Sequence, residues 1–337
     1  RGEAFVSGNN LPIKNTNLEN IQEFKKNGKY IMFSVQTKAW FGGTFLWDSN
    51  PNSLKLTSII NREKLISNTE NLKSNLPQCP TSGYKNDCYG ISQTSKIKYV
   101  GEFKNNKFHG YGKYYHLADD KYKGYFYEGE WVKGFRNGQG TVIWPNGNKY
   151  IGEQKLGKLH GKGKFFSQAD NQFKGDTYVG EYKEGKKHGK GTYFYANGNK
   201  YIGDYKNDYP NGHGTFLYLA DNEFKGFTHS GQYKNGKREG YGIFTYPNGS
   251  RHEGNYINDR REGIGTYFHS NGNIYSGSFK KGKYNGYGTF TFANGAKYEG
   301  QFKDGKYNGE GTRYLSTGKI QEGIWKDNKF LYSKKIN

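Results

Sequence analysis

Residues 150–163 read Tyr150-Ile-Gly152-Glu-Gln-Lys-Leu-Gly157-Lys-Leu-His160-Gly161-Lys-Gly163. The unit is an aromatic residue, a glycine two places later, a turn, and a Gly-x-Gly pair. It recurs along most of the 337-residue chain, with lead positions Tyr99, Tyr127, Tyr150, Tyr178, Tyr201, His229, His252, Tyr275, Tyr298 and Gln321. Successive leads lie either 23 or 28 residues apart, and glycine pairs follow in step from Gly110/Gly112 to Gly309/Gly311. This makes nine full repeats and a partial tenth closing on Trp325. Periods of this length mark a repeat architecture.

Each unit holds two short runs in which aromatic and polar residues alternate, the period-two signature of strands. Asn-Gly stands between repeats at Asn146-Gly147, Asn197-Gly198, Asn248-Gly249, Asn271-Gly272 and Asn294-Gly295. Such pairs suit the two left-handed residues of a type I′ hairpin turn. A second turn falls inside each repeat, for example at Lys133-Gly134, Glu184-Gly185 or Asn207-Asp208. Two strands per repeat at about 4.8 Å spacing predict one twisted antiparallel ribbon roughly 95 Å long. Within it, Tyr99, Tyr127, Tyr150, Tyr178, Tyr201, Tyr275 and Tyr298 are followed by Gly101, Gly129, Gly152, Gly180, Gly203, Gly277 and Gly300. A ring can lie on the sheet only where its neighbour lacks a side chain, so these pairs read as the repeat framework.

Composition agrees. The chain carries 51 Lys+Arg against 30 Asp+Glu, a net charge of +21, with 50 Gly and 18% aromatic residues. A mean hydropathy of −1.04 with this charge would suggest disorder, but disordered chains are poor in aromatics. A large helical core is excluded, because glycine costs about 1 kcal/mol per helical position. The longest apolar stretches, residues 30–35 and 39–47, fall short of the ~20 residues a spanning helix needs.

The repeats resemble the MORN repeat (membrane occupation and recognition nexus), whose 23-residue unit runs roughly YxGxWxxGxxxGxGxxxxxxG; Tyr150 to Gly163 and Tyr298 to Thr312 are close copies. The resemblance covers about residues 97–330. It implies an all-β repeat fold, an elongated twisted antiparallel β-meander of MORN hairpins. In families of this kind the ribbons act as assembly and interaction modules, often as elongated dimers and sometimes near membranes. Along the chain we read residues 1–75 as an N-terminal segment, 76–96 as a cysteine-containing cap, 97–332 as the array and 333–337 as a tail. In the first segment Lys29–Gln36 and Gly43–Trp47 read as strands and Arg62–Leu76 as a short helix, a small α/β module or arm.

Three repeats carry five extra residues before the next lead: 117–124, 168–175 and 219–226 share Ala-Asp-Asp/Asn-x-aromatic-Lys-Gly every 51 residues. One reading is a longer loop in which Asp119, Asp170 or Asp221 closes an Asx turn. The functional reading makes Asp119, Asp120, Lys123, Asp170, Asn171, Lys174, Asp221, Asn222 and Lys225 a periodic contact surface, about 20 Å from loop to loop. Calcium is a weak third, because each loop offers one or two carboxylates against the six to eight oxygens the ion takes.

Catalytic, cofactor-binding and metal-ligating residues are not expected. The histidines occupy repeat positions too far apart to share a metal. The Gly-x-Gly pairs do not end in Gly-Lys-Ser/Thr, so they cradle no phosphate. Glu102, Glu130, Glu153, Glu181 and Asp204 form an acidic ladder beside Lys104, Lys155, Lys183 and Lys206, read as solvated cross-strand pairing. Cys79 and Cys88 precede the array. Joined, they would contribute about 2–3 kcal/mol by loop entropy; reduced, they are two unrelated thiols. Their leader resembles the stretch that opens MORN arrays in bacterial secreted proteins, which implies an extracytoplasmic setting, whereas reduced cysteines would fit the cytoplasm.

These readings favour a non-catalytic scaffold with a protein partner or a second copy of itself, a homo-oligomer. The alternative is a binder of anionic polysaccharide or phospholipid head groups through a basic aromatic face. No nucleic-acid signature is present.

Overall fold

The computed structural model describes residues 74–333, together with the backbone of Lys25–Lys26 and Lys29–Tyr30. Two compact units divide the chain, Arg1–Asn71 and Leu72–Asn337. In the first, β1 (Lys25–Lys26) and β2 (Lys29–Tyr30) pair antiparallel. The rest of the expected N-terminal strands and most of the expected helix lie outside the described residues. Ser74, Asn75 and Leu76, placed at the end of that helix by sequence, are not helical, and the described residues contain no helix.

The second unit is a meander of 21 strands, β3 (Cys88–Gln93) to β23 (Lys329–Ser333), in strict chain order. Every pairing joins chain neighbours, and no register links β23 back to β3, so the sheet is open. The repeats from the second to the ninth each supply a seven-residue lead strand and a nine-residue return strand, as in β8 (Lys149–Lys155) and β9 (Lys158–Phe166).

The turn chemistry is the reverse of the sequence expectation. Type I′ geometry, with two consecutive left-handed residues, belongs to the turn inside each repeat: Leu156 (φ 49°) with Gly157 (φ 78°), or Asn207 (φ 50°) with Asp208 (φ 75°). At the Asn-Gly turns only the glycine is left-handed, as at Gly147 (φ 88°). Gly147 N–H donates to the Trp144 carbonyl and Trp144 N–H to that of Asn148, a type I turn closed by a bulge. The asparagine is there for its side chain: Asn146 Oδ1 accepts the Asn148 N–H at 3.1 Å, and Asn197, Asn248, Asn271 and Asn294 repeat the bond.

The core is a ladder of rings on one face of the sheet. Tyr150 is fully buried, and its hydroxyl donates to the Glu153 carbonyl at 2.8 Å. Its ring covers Gly163, where an added Cβ would stand 2.4 Å from ring carbons. Lead rings then meet a second row edge-on: Tyr178 lies 5.2 Å from Tyr182 and 5.0 Å from Tyr205 of the next repeat, the offset geometry aromatic pairs prefer.

The two edges differ. At the first, Pro77–Cys79 runs along β3, Cys79 N–H donating to the Tyr89 carbonyl and Tyr89 N–H to that of Pro77. The Cys79–Cys88 disulfide clamps it there. At the other edge β23 pairs only with β22 (Ile320–Lys326) among the described residues, and Leu331 and Tyr332 are exposed.

Candidate functional site

Two features shape the surfaces of the sheet, the first on the face away from the rings and the second on the ring-bearing face. The first is a bulge in each lead strand: in the pairing of β8 with β9 the register passes from Gly152↔Gly163 to Gln154↔Leu159. Opposite it Gly161 takes φ +57° and leaves room for the Glu153 carboxylate. Glu153 Oε1 accepts the Lys162 N–H at 3.0 Å, and Glu130, Glu181 and Asp204 make the same bond. Four of the five acids are therefore caps on backbone donors that the bulge frees, and Glu102 accepts from Ser74 Oγ. Cross-strand pairing with lysine, the sequence expectation, is made at Asp204, whose partner Lys190 stands directly opposite it and between two glycines rather than two places after a lead glycine.

The second feature is the set of three long loops. Asp119–Lys123, Asp170–Lys174 and Asp221–Lys225 pair at 2.9, 3.3 and 3.1 Å, exposed contacts worth little. The Asx turn is made one residue later than expected: Asp120, Asn171 and Asn222 accept the N–H of Tyr122, Phe173 and Phe224 at 2.8–2.9 Å. The first Asp of each loop faces solvent beside its lysine, and the next residue, Asp120, Asn171 or Asn222, closes the turn. The Tyr122 N–H and His116 also hold the Asp120 carboxyl below its ordinary range. The loop bases are tied down, Asn148 and Asn199 accepting the N–H groups of Ala169 and Ala220.

Each loop thereby extends a half-exposed ring, Tyr122 (50%), Phe173 (50%) or Phe224 (49%), along the rim of a pocket in the aromatic face. Phe108, Tyr114, Trp144 and Arg136 line the first, of about 670 Å³. Leu159, Phe165, Tyr193 and Lys187 line the second, of about 340 Å³. Phe227, Phe244, Tyr246 and Arg238 line the third, of about 460 Å³. The cations lie 51 residues apart and sit over rings: Arg136 5.5 Å from Tyr125, Lys187 4.4 Å from Tyr193, Arg238 5.2 Å from Phe244. Burial works against the charges of Arg136 and Lys187. Sequence reasoning missed this set; extending the 51-residue comparison from the loops into the return strands would have aligned Arg136, Lys187 and Arg238.

A wider trough of about 1690 Å³ follows the turns from Lys206 to Asn285. Its carboxylates are committed, Glu239 and Glu262 accepting the N–H groups of Asn258 and Lys281. Among the described residues no three His, Cys, Asp or Glu side chains converge as a metal site, and no helix is long and apolar enough to cross a membrane.

On the opposite face the residue between the paired glycines is polar from Gln139 to His213 and apolar or aromatic from Tyr241 to Tyr287, while Ile151, Val179 and Ile202 are exposed there in the earlier repeats. There Tyr241 (53% exposed), Ile264 (65%) and Tyr287 (63%) stand between the glycines of successive pairs, about 10 Å apart.

Among solved structures, the TCP domain of Drosophila melanogaster SAS-4 (dCPAP), bound to a proline-rich motif of Ana2 (dSTIL), is 16% identical. That match covers 56% of this chain and 85% of that one, at a TM-score of 0.28. The wild-type TCP10 domain of Danio rerio CPAP, bound to a STIL peptide, is 14% identical over 55% of this chain and 93% of that one, with a TM-score of 0.18. Likenesses this slight carry nothing about what this chain binds. No curated protein matches it. The MORN repeat family model matches nine segments, 99–116, 127–149, 150–168, 178–200, 201–218, 229–251, 252–274, 275–297 and 298–320. They span more than half of the chain, with each start on a lead residue of the ring ladder, and the protein belongs to the MORN-repeat family.

Proposed function

We propose that the protein is a non-catalytic scaffold that binds a protein partner, a second copy of itself first among them, through the face opposite the rings. MORN repeats suggest a protein-interaction or membrane-binding scaffold. The observation that carries the protein reading is the strip Tyr241, Ile264 and Tyr287, each more than half exposed. Three large side chains this exposed, recurring every second strand with Asn255 and Ser278 between them, form a row that a partner could cover. The Cys79–Cys88 disulfide is compatible with an extracytoplasmic setting, which we also propose.

Light scattering coupled to size exclusion tests the reading on the full chain at low and high salt. An oligomer that persists at high salt, and becomes monomeric in Tyr241→Ser/Tyr287→Ser with its circular dichroism unchanged, is the expected result. A monomer at every concentration and salt overturns it.

A further inference from the structure

The pockets on the ring-bearing face point to a second ligand, independent of the partner proposed for the opposite face. We infer that the three loop-rimmed pockets are subsites for a linear, hydroxyl-rich polysaccharide that runs along the array.

All three are lined by aromatic rings, the second and third hold a cation and a carboxylate side by side, and the first holds cations with no carboxylate. In the second pocket Lys187 lies beside Asp208 and Asp176, the latter buried with its oxygens on Tyr193 Oη at 2.6 Å and Ala196 N–H at 2.7 Å. In the third Arg238 pairs with Asp259 at 3.2 Å. The first has Arg136 bonded to the Gly157 carbonyl, with His116 and Lys158 near. A sugar ring matches such a lining: its C–H face stacks on an aromatic plane, and its hydroxyls donate to a carboxylate while accepting from a cation. A phosphate would meet the carboxylates of the second and third pockets. A peptide added as a strand needs an unpaired sheet edge, whereas these pockets lie mid-sheet, where every strand has two neighbours.

Repetition says that the ligand repeats too. The three cations stand on β7 (Phe135–Ile143), β11 (Lys186–Phe194) and β15 (Lys237–Thr245), four strands apart, so the sites recur about every 19 Å. A polymer spanning all three turns weak single contacts into one tight one, since the later contacts are intramolecular. The loops exist in only these three repeats, which gives the site a defined length.

The test titrates the full chain with hyaluronan, a linear β-glucan and a short oligosaccharide of each, by calorimetry and by the fluorescence of Trp131 and Trp144 at the first pocket. At least one polymer is expected to bind at least tenfold tighter than its short oligosaccharide. Phe173→Ala, which trims an exposed ring, should lower polymer affinity about tenfold with the melting curve unchanged. Tyr122→Ala should also remove the tryptophan response. The inference is overturned if neither polymer binds at millimolar saccharide, if binding is indifferent to alanine at Tyr122, Phe173 and Phe224, or if anionic phospholipid vesicles bind there and the glycans do not. Tyr241→Ser/Tyr287→Ser should leave glycan binding intact, so this inference and the scaffold reading fail separately.

Discussion

Through the fifth repeat the residue after the lead-strand glycine is an acid, Glu102, Glu130, Glu153, Glu181 or Asp204; from the sixth onward it is Gln232, Asn255, Ser278 or Gln301. The same region that keeps its acids carries the three loops and the first two pockets, while the third pocket, around Arg238, and the row Tyr241, Ile264 and Tyr287 on the other face fall in the later region. The backbone plan does not change, since the bulge recurs at Gly152/Gln154 and at Gly300/Phe302, and Gln301 Oε1 accepts the Glu310 N–H at 3.1 Å as the acids do for theirs. What differs is the surface laid on a constant frame: acids and long loops first, neutral residues in place of the acids and the exposed row Tyr241, Ile264 and Tyr287 afterwards. Between them the buried rings divide into two clusters, one from Tyr99 to Tyr233 and one from Tyr275 to Trp325. His229 and His252 stand at the junction in place of lead tyrosines. Their Nδ1 atoms bond to the hydroxyls of Tyr233 and Tyr256 at 2.8 and 2.9 Å.

The largest expected effect tests the frame on both sides of the junction. Gly191→Ala places a methyl 2.3 Å from the Tyr178 hydroxyl, whereas at Gly265 the methyl would meet His252 Nε2 at 2.7 Å. Overpacking a buried ring costs typically 1–3 kcal/mol, and we expect Gly191→Ala near the top of that range and Gly265→Ala well below it in urea unfolding. Equal losses would mean that the histidine repeats are packed as tightly as the tyrosine ones.

The junction is also where acid should act. Burial first, then the neighbouring Arg238, pushes His229 down to about 4, and burial with Arg261 takes His252 to about 3. Unfolded, both imidazoles regain ordinary values near 6.5 and take up protons that the folded ones refuse. Their contribution is therefore complete above pH 6.5 and declines as pH falls towards the folded values. For His229 the loss is roughly 2 kcal/mol at pH 5. Unfolding followed from pH 7 to 4.5 should show the decline, and His229→Tyr/His252→Tyr should flatten it; an unchanged slope in that variant would place the acid sensitivity elsewhere.

Gln154 sharpens the comparison from the other direction. It occupies a second-row ring position at 3% exposure, and neither amide atom has a hydrogen-bond partner. Gln154→Tyr should stabilise the first region by about 1 kcal/mol, since the unsatisfied amide is removed and the edge-on contacts are completed. A drop in melting temperature would show that the amide is satisfied in solution. The smallest effect is expected at the caps. Glu181→Gln keeps an acceptor for the Lys190 N–H and should change stability by less than about 0.5 kcal/mol. Glu181→Ala should cost about 1 kcal/mol. If Gln is as costly as Ala, the charge rather than the acceptor is what the early repeats need.

The meander and its ring ladder were legible because period-23 spacing of Tyr and Gly has a steric cause that every repeat restates. The turn types were not: Asn-Gly carries a strong type I′ signal, but here Asn146 spends its side chain on the Asn148 N–H, a bond that spacing does not reveal. The acids looked like partners for lysines because nothing in a period-two pattern announces the bulge, which turns Glu153 towards a backbone donor instead. The pockets were half legible. Their loops stood out as insertions, but Arg136, Lys187 and Arg238 sit inside return strands, where a basic residue among eight glycine-paired neighbours draws no notice. The Asx turn falls one residue later than its spacing suggested, because both Asp119 and Asp120 can close such a turn and only the bond from the Tyr122 N–H to Asp120 tells them apart.

The strand order of the array also has a mechanical meaning. Each strand is held only by its two chain neighbours, and those bonds run along the ribbon. A pull on its ends therefore loads one strand pair after another in series, like a zipper. Such a body yields at modest force over a long extension, starting from β23. The Cys79–Cys88 bond only stops the chain before β3 from paying out, and in acid the histidine junction is the weakened link of the series.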